Sequence, residues 1–112
     1  MLVAIAIPVF TAALHNSKAA TDEANARSLY ADLQADYLAD GSSDYSGATW
    51  TGAPASGTDI TGEGTTFTLS DGEEIALADS DTTITPTFHE GEGWSVHFVD
   101  TKNSVDTTWG IQ

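Results

Sequence analysis

The strongest constraint on this chain lies in its first forty residues. An apolar run, Leu2-Val3-Ala4-Ile5-Ala6-Ile7-Pro8-Val9-Phe10, continues to Leu14 and passes into an Ala-rich stretch with no Gly and no further Pro before Gly41. Alanine favours helix, and Gly41 suits a left-handed cap. Read as one helix, residues 2–40 span roughly 58 Å at 1.5 Å per residue. A 112-residue chain has no globular use for so long a helix, so part of it is expected to protrude. Pro8 removes one helical N–H and crowds the preceding turn, so a kink or a locally opened helix is expected there.

Two unlike faces follow from helical spacing. Ala26, Leu29, Tyr30, Leu33 and Tyr37 form a bulky stripe, predicted to pack on the domain's own sheet. Ser17, Ala20, Ala24, Ser28, Ala31 and Ala35 form a small-residue stripe, about 200° away at 100° per residue. It would admit a second helix, or its alanines serve propensity alone. Traced backwards, the bulky stripe meets Asp22 and Glu23. Packing is therefore expected to begin near residues 24–26. That divides the chain into a protruding helix half, 1–23, and a head, 24–112. Lys18 with Asp22 and Glu23 with Arg27 are spaced as i,i+4 charge pairs.

Residues 42–64 are rich in Gly, Ser, Thr and Asp, with turn signals at Ser46-Gly47, Thr51-Gly52 and Gly62-Glu63-Gly64. A connection of this length is expected to be pinned by Tyr45, Trp50 and Ile60, and to admit a short helix or edge strand. From Thr65 the apolar residues alternate, which predicts strands over 65–70, 74–78, 82–89, 94–99 and 105–111. A loop at Gly91-Glu92-Gly93 would place Phe88 opposite Val96. A turn at Thr101-Lys102 would place Phe98 opposite Val105 and Trp94 opposite Trp109. A loop from Asp71 through Glu73 keeps Phe67 and Leu69 on one face with Ile75 and Leu77. Pro86 marks its strand as an edge or a bulge. The expected class is α+β: a helix packed by its C-terminal half on a four- to five-stranded antiparallel sheet over 65–111.

Composition narrows the function. Seventeen acids against three Lys and Arg leave a formal net charge of −14, which disfavours nucleic acid as a partner. The chain has no cysteine, so it has no disulfide and no thiolate site. No nucleophile elbow, phosphate loop or zinc-helix motif occurs, and no enzymatic activity is expected. No metal site is expected from close ligand spacing. Among the acid clusters, the calcium candidates are Asp79, Asp81, Asp100 and Asp106, with solvated charged turns as the competing reading. His89 and His97, taken as diagonal neighbours on the outer sheet face beside Glu90, are the other conceivable metal ligands. His15 is expected to be interfacial. Trp94, Phe98 and Trp109 are expected in the core, and Tyr45 and Trp50 as exposed contacts.

The thirteen residues from Leu2 to Leu14 fall short of the roughly 20 that span a bilayer. No basic segment precedes them and no small-residue cleavage site follows, so they make a poor signal peptide. They resemble the second half of the hydrophobic N-terminal segment of type IV pilins and type II secretion pseudopilins, where an apolar run ending in Ala-Ile-Ala-Ile-Pro leads into an amphipathic helix. The continuation Lys18-Ala19-Ala20-Thr21-Asp22-Glu23-Ala24-Asn25-Ala26-Arg27-Ser28-Leu29-Tyr30-Ala31 is similar to Gram-positive pilins in particular. The likeness covers about residues 2–31. The family's first half-segment, its cleavage site and its early acidic residue have no counterpart here, so Met1 is expected to be a truncation.

The resemblance implies a structural subunit of a cell-surface filament, a helical homopolymer built by an assembly machinery. Each subunit would wait in the membrane before assembly. Leu2, Val3, Ile5, Ile7, Pro8, Val9, Phe10 and Leu14 would form the membrane anchor and later the filament core. A minor pilin or pseudopilin of a secretion or DNA-uptake machine is the alternative. A small acidic calcium- or glycan-binding domain is a second alternative, from another class.

Overall fold

The computed structural model describes residues 2–40, 45 and 47–110, with side chains from Leu14 onward. The fold is α+β. One helix, α1 (Leu2–Asp40), packs from residue 14 onward on an antiparallel sheet. The strands are β1 (Ile60–Thr61), β2 (Thr66–Thr68), β3 (Glu74–Ala76), β4 (Thr82–His89), β5 (Gly93–Asp100) and β6 (Val105–Gly110). The helix runs unbroken through Pro8, so no locally opened turn interrupts it there. The molecule measures 64 × 27 × 17 Å, and its long axis is close to the length of a straight 39-residue helix. Gly41 as a cap and Ile111 as a strand end lie outside the described residues, as do Ser46 of the first loop turn and the side chains of Leu2 to Phe10.

The five strands expected in one sheet divide into two sets. The sheet proper is ordered β1-β4-β5-β6, and β2-β3 form a separate hairpin. The cause lies in residues 60–65. Ile60 and Thr61 take the edge of β4, opposite Ile84 and Thr83. Gly62 and Gly64, at φ 94° and 87°, then turn the chain away, and Thr65 N–H closes that turn on the Gly62 carbonyl. The hairpin that follows keeps Phe67 opposite Ile75 and sends Phe67 and Leu77 into the common core.

Faces agree with the alternation, but registers do not. Phe88 pairs with Trp94 and Pro86 with Val96. Phe98 pairs with Thr107 and Val96 with Trp109. Each expected pairing is displaced by two residues. A shift of two leaves every side chain on its face, so the apolar pattern cannot detect it. Turn chemistry makes the choice. Glu92 N–H bonds to the His89 carbonyl, so the loop is 90–92. The Asp100 carboxylate accepts Lys102 and Asn103 N–H at 3.1 and 3.4 Å, and the turn lengthens to 101–104 with Ser104 at φ 57°. Pro86 costs no ladder bond. Its carbonyl accepts Gly57 N–H, and Phe88 N–H reaches Ser56 Oγ, so the missing N–H points to the side of β4 away from β5.

The core lies between helix and sheet. Ala26, Leu29 and Leu33 from the helix meet Ile84, Trp94, Val96 and Phe98 from the sheet, all essentially inaccessible. Tyr30 and Tyr37 flank this cluster, half-buried. Tyr37, Tyr45, Phe88 and Trp94 pack edge-on or tilted at ring separations of 5.1 to 5.7 Å. The stripe Ser17, Ala20, Ala24, Ser28, Ala31 and Ala35 is exposed along its whole length.

Candidate functional site

Among the described side chains, His15 is already buried against the head, nine residues before position 24. His15, Ala19, Asp22, Ala26, Leu29 and Leu33 are all buried. Their spacing alternates four and three, which keeps them on one helix face. The division at residues 23 and 24 therefore does not mark where packing starts. The same face continues upstream with polar residues at its buried positions.

Those polar residues are satisfied by the loops beneath them. The Asp22 carboxylate accepts Ala78 N–H at 2.7 Å, Asp79 N–H at 3.0 Å and Thr82 O–H at 2.6 Å. Asp22 thus turns inward, away from the surface pairing that its i,i+4 spacing to Lys18 invites. Two further helix acids act alike. Asp32 accepts Ser70 N–H at 3.1 Å. Asp36 accepts Tyr45 O–H at 2.8 Å and Thr49 N–H at 3.1 Å. Gln34 Oε1 accepts Trp94 N–H at 2.8 Å, at the start of β5. Carboxylates aimed at backbone N–H make charge-assisted bonds, roughly twice as strong as neutral ones. The Arg27 guanidinium lies 5.6 Å from the centroid of the Trp109 ring, within cation–π range.

The most concentrated chemistry sits at the first point of contact. His15 Nδ1 is 2.8 Å from Asp79 Oδ2, and its Nε2 is 3.1 and 3.2 Å from the two oxygens of Asp100. His15 is 6% exposed, Asp79 7% and Asp100 1%. A carboxylate only accepts, so making both contacts as hydrogen bonds requires a proton on each ring nitrogen. Asp81 stands beside this pair: its N–H donates to Asp79 Oδ1 at 2.8 Å, and its carbonyl accepts Thr101 N–H. A cavity of about 230 Å³ opens next to the ring, and Lys18, Glu63, Asp81 and Lys102 are among its walls.

Of the calcium candidates, the fold brings Asp79, Asp81 and Asp100 together around His15, while Asp106 is elsewhere. Asp106 Oδ1 lies 2.6 Å from His97 Nε2 on the outer sheet face. His89 and His97 are not diagonal neighbours: His89 lies opposite Gly93 and His97 opposite Thr85, and His89 Nε2 contacts Ser95 Oγ at 2.9 Å. His15 is enclosed by the head, not interfacial. Tyr45 is buried rather than exposed, and Trp50 is half-buried with its indole N–H on the Thr68 carbonyl at 2.8 Å. Burial raises the Tyr45 phenol to about 12; the Trp94 N–H bond pulls the other way, and the bond to Asp36 and its negative charge add to the rise.

Of the residues assigned to a filament core, Leu14 is the one whose side chain is described, and it is 43% exposed. Among the described residues, no helix is long and apolar enough to cross a membrane. In comparisons with protein-family models, curated proteins and solved structures, nothing matches this chain.

Proposed function

We propose that this chain is a structural subunit of a type IV pilin-like surface filament, without enzymatic activity. One observation carries the reading: a single 39-residue helix is laid by its C-terminal part on one face of its own antiparallel sheet, with Ala26, Leu29 and Leu33 in the shared core. The first twelve residues of that helix, Leu2 to Ala13, are almost entirely apolar, and a run of that character favours association with lipid or other copies. The fold is compatible with the family's architecture, a long helix laid on one face of an antiparallel sheet. The head's acids, twelve after residue 41 against one lysine, keep such a surface hydrated and self-repelling between heads. Before assembly the subunit would be held in the cytoplasmic membrane by its hydrophobic N-terminal segment.

The test is assembly by the native gene product. Filaments sheared from cells should contain this protein as a principal component, identified by mass spectrometry. Trace amounts would place it among minor pilins or pseudopilins. Its absence from sheared filaments, with the protein present in cells, would end the major-pilin reading.

A further inference from the structure

We infer that His15, Asp79 and Asp81 form a binding site for a divalent transition metal of the zinc class, which locks the helix to the head. The inference stands apart from the filament reading, since it concerns a joint within one subunit.

Three potential ligand atoms, one each from His15, Asp79 and Asp81, lie within 4.8 Å of one another. A tetrahedral zinc ion with bonds of about 2.0–2.1 Å separates its ligand atoms by roughly 3.3 Å. The observed spacing brackets that value, so side-chain rotations of about 1 Å would suffice. The mixed donor set selects the ion. One imidazole nitrogen with two carboxylate oxygens suits zinc and its neighbours, whereas calcium takes six to eight oxygens.

The surroundings supply what such a centre needs. Asp100 holds Nε2 of His15 at 3.1 Å, which leaves Nδ1, 2.8 Å from Asp79, for the ion. A carboxylate that orients a ligating imidazole through its other nitrogen is the usual outer partner of a metal-bound histidine. The ion would take the place of the Nδ1 proton, which leaves with solvent, and Asp79 would exchange a hydrogen bond for a metal bond. The adjoining cavity of about 230 Å³ offers an entry path and room for a water ligand. Lys18 and Lys102 line it on flexible stems, so their ammonium groups can swing outward as the dication enters. Charge also favours occupancy: Asp79 and Asp100 are both buried against one imidazole, and buried charge is normally paired or metal-bound.

Titration calorimetry of the full chain, stripped with a chelator, with zinc, calcium and magnesium chlorides tests this. One equivalent of zinc should bind, and saturating zinc should raise the melting temperature by about 10 °C, with calcium and magnesium far weaker. Asp81→Asn should weaken zinc at least tenfold without altering the melting temperature of the metal-free protein. His97→Gln, on the outer sheet face, should leave zinc binding unchanged. Absence of zinc binding to the folded wild-type chain would overturn the assignment. So would binding that survives Asp81→Asn intact, or binding that is lost in His97→Gln.

Discussion

Individual acids do different work here than their number implies. Seventeen Asp and Glu in 112 residues read as a solvated surface, yet Asp22, Asp32 and Asp36 each hold a loop's backbone or hydroxyl donors against the helix. Burial of Asp22 is tolerable because three donors meet its two oxygens. Tyr45 shows the same logic from the other partner. It donates to Asp36 and accepts from the Trp94 indole; burial, helped by Asp36 and opposed by the Trp94 bond, raises its phenol from 10.0 to about 12. A raised acid is held protonated by the fold. The stability it confers is complete below pH 10, the ordinary tyrosine value, and is lost as pH rises through about 12. In an ultraviolet titration of the folded protein, one tyrosine should ionise near pH 12, and Tyr45→Phe should remove that step while the others remain.

At the scale of elements, turns decide what alternation leaves open. Period-two patterning locates β4, β5 and β6 and their inward faces, but it is blind to a slip of two. The Asp100 carboxylate on the next turn's amides and the Glu92–His89 bond settle the pairing. Glycines carry the remaining load. Gly110, at φ 93°, lies where a Cβ would meet the Trp94 carbonyl and the Tyr30 ring, whereas Gly91, at φ 78°, faces open space. Gly91→Ala should therefore cost only the left-handed backbone term, about 1–2 kcal/mol. Gly110→Ala should cost at least about 2 kcal/mol more, because backbone must shift as well. Urea unfolding of the two variants side by side would show the difference, and equal midpoints would refute the steric argument.

For the whole molecule, the question is where the head begins. Burial at His15, Ala19 and Asp22 means that the head includes helix well upstream of residue 24. A chain shortened to start at Leu14 should unfold at nearly the denaturant concentration of the full chain. One shortened to start at Lys18 loses His15 and leaves Asp79 and Asp100 without their imidazole, at a cost of roughly 3 kcal/mol. Equal stability of the two shortened chains would show that the His15 contacts do not hold the joint.

The amino-acid sequence by itself determined the kinds of elements and their inward faces. Helical spacing from Ala26 to Tyr37 and alternation from Thr65 onward depend on local periodicity, which a chain carries without knowing its partners. Tertiary structure alone decided the register, the separation of the β2–β3 hairpin from the sheet, and the joint at His15. The spacing His15, Ala19, Asp22, Ala26 was present in the sequence as a continuation of the buried face. Asp22 read there as the end of the bulky stripe and His15 as an interfacial residue, because a polar residue declares itself buried only through its donors and acceptors. Those lie 56 to 85 positions away in the chain, and only folding brings them within hydrogen-bond reach.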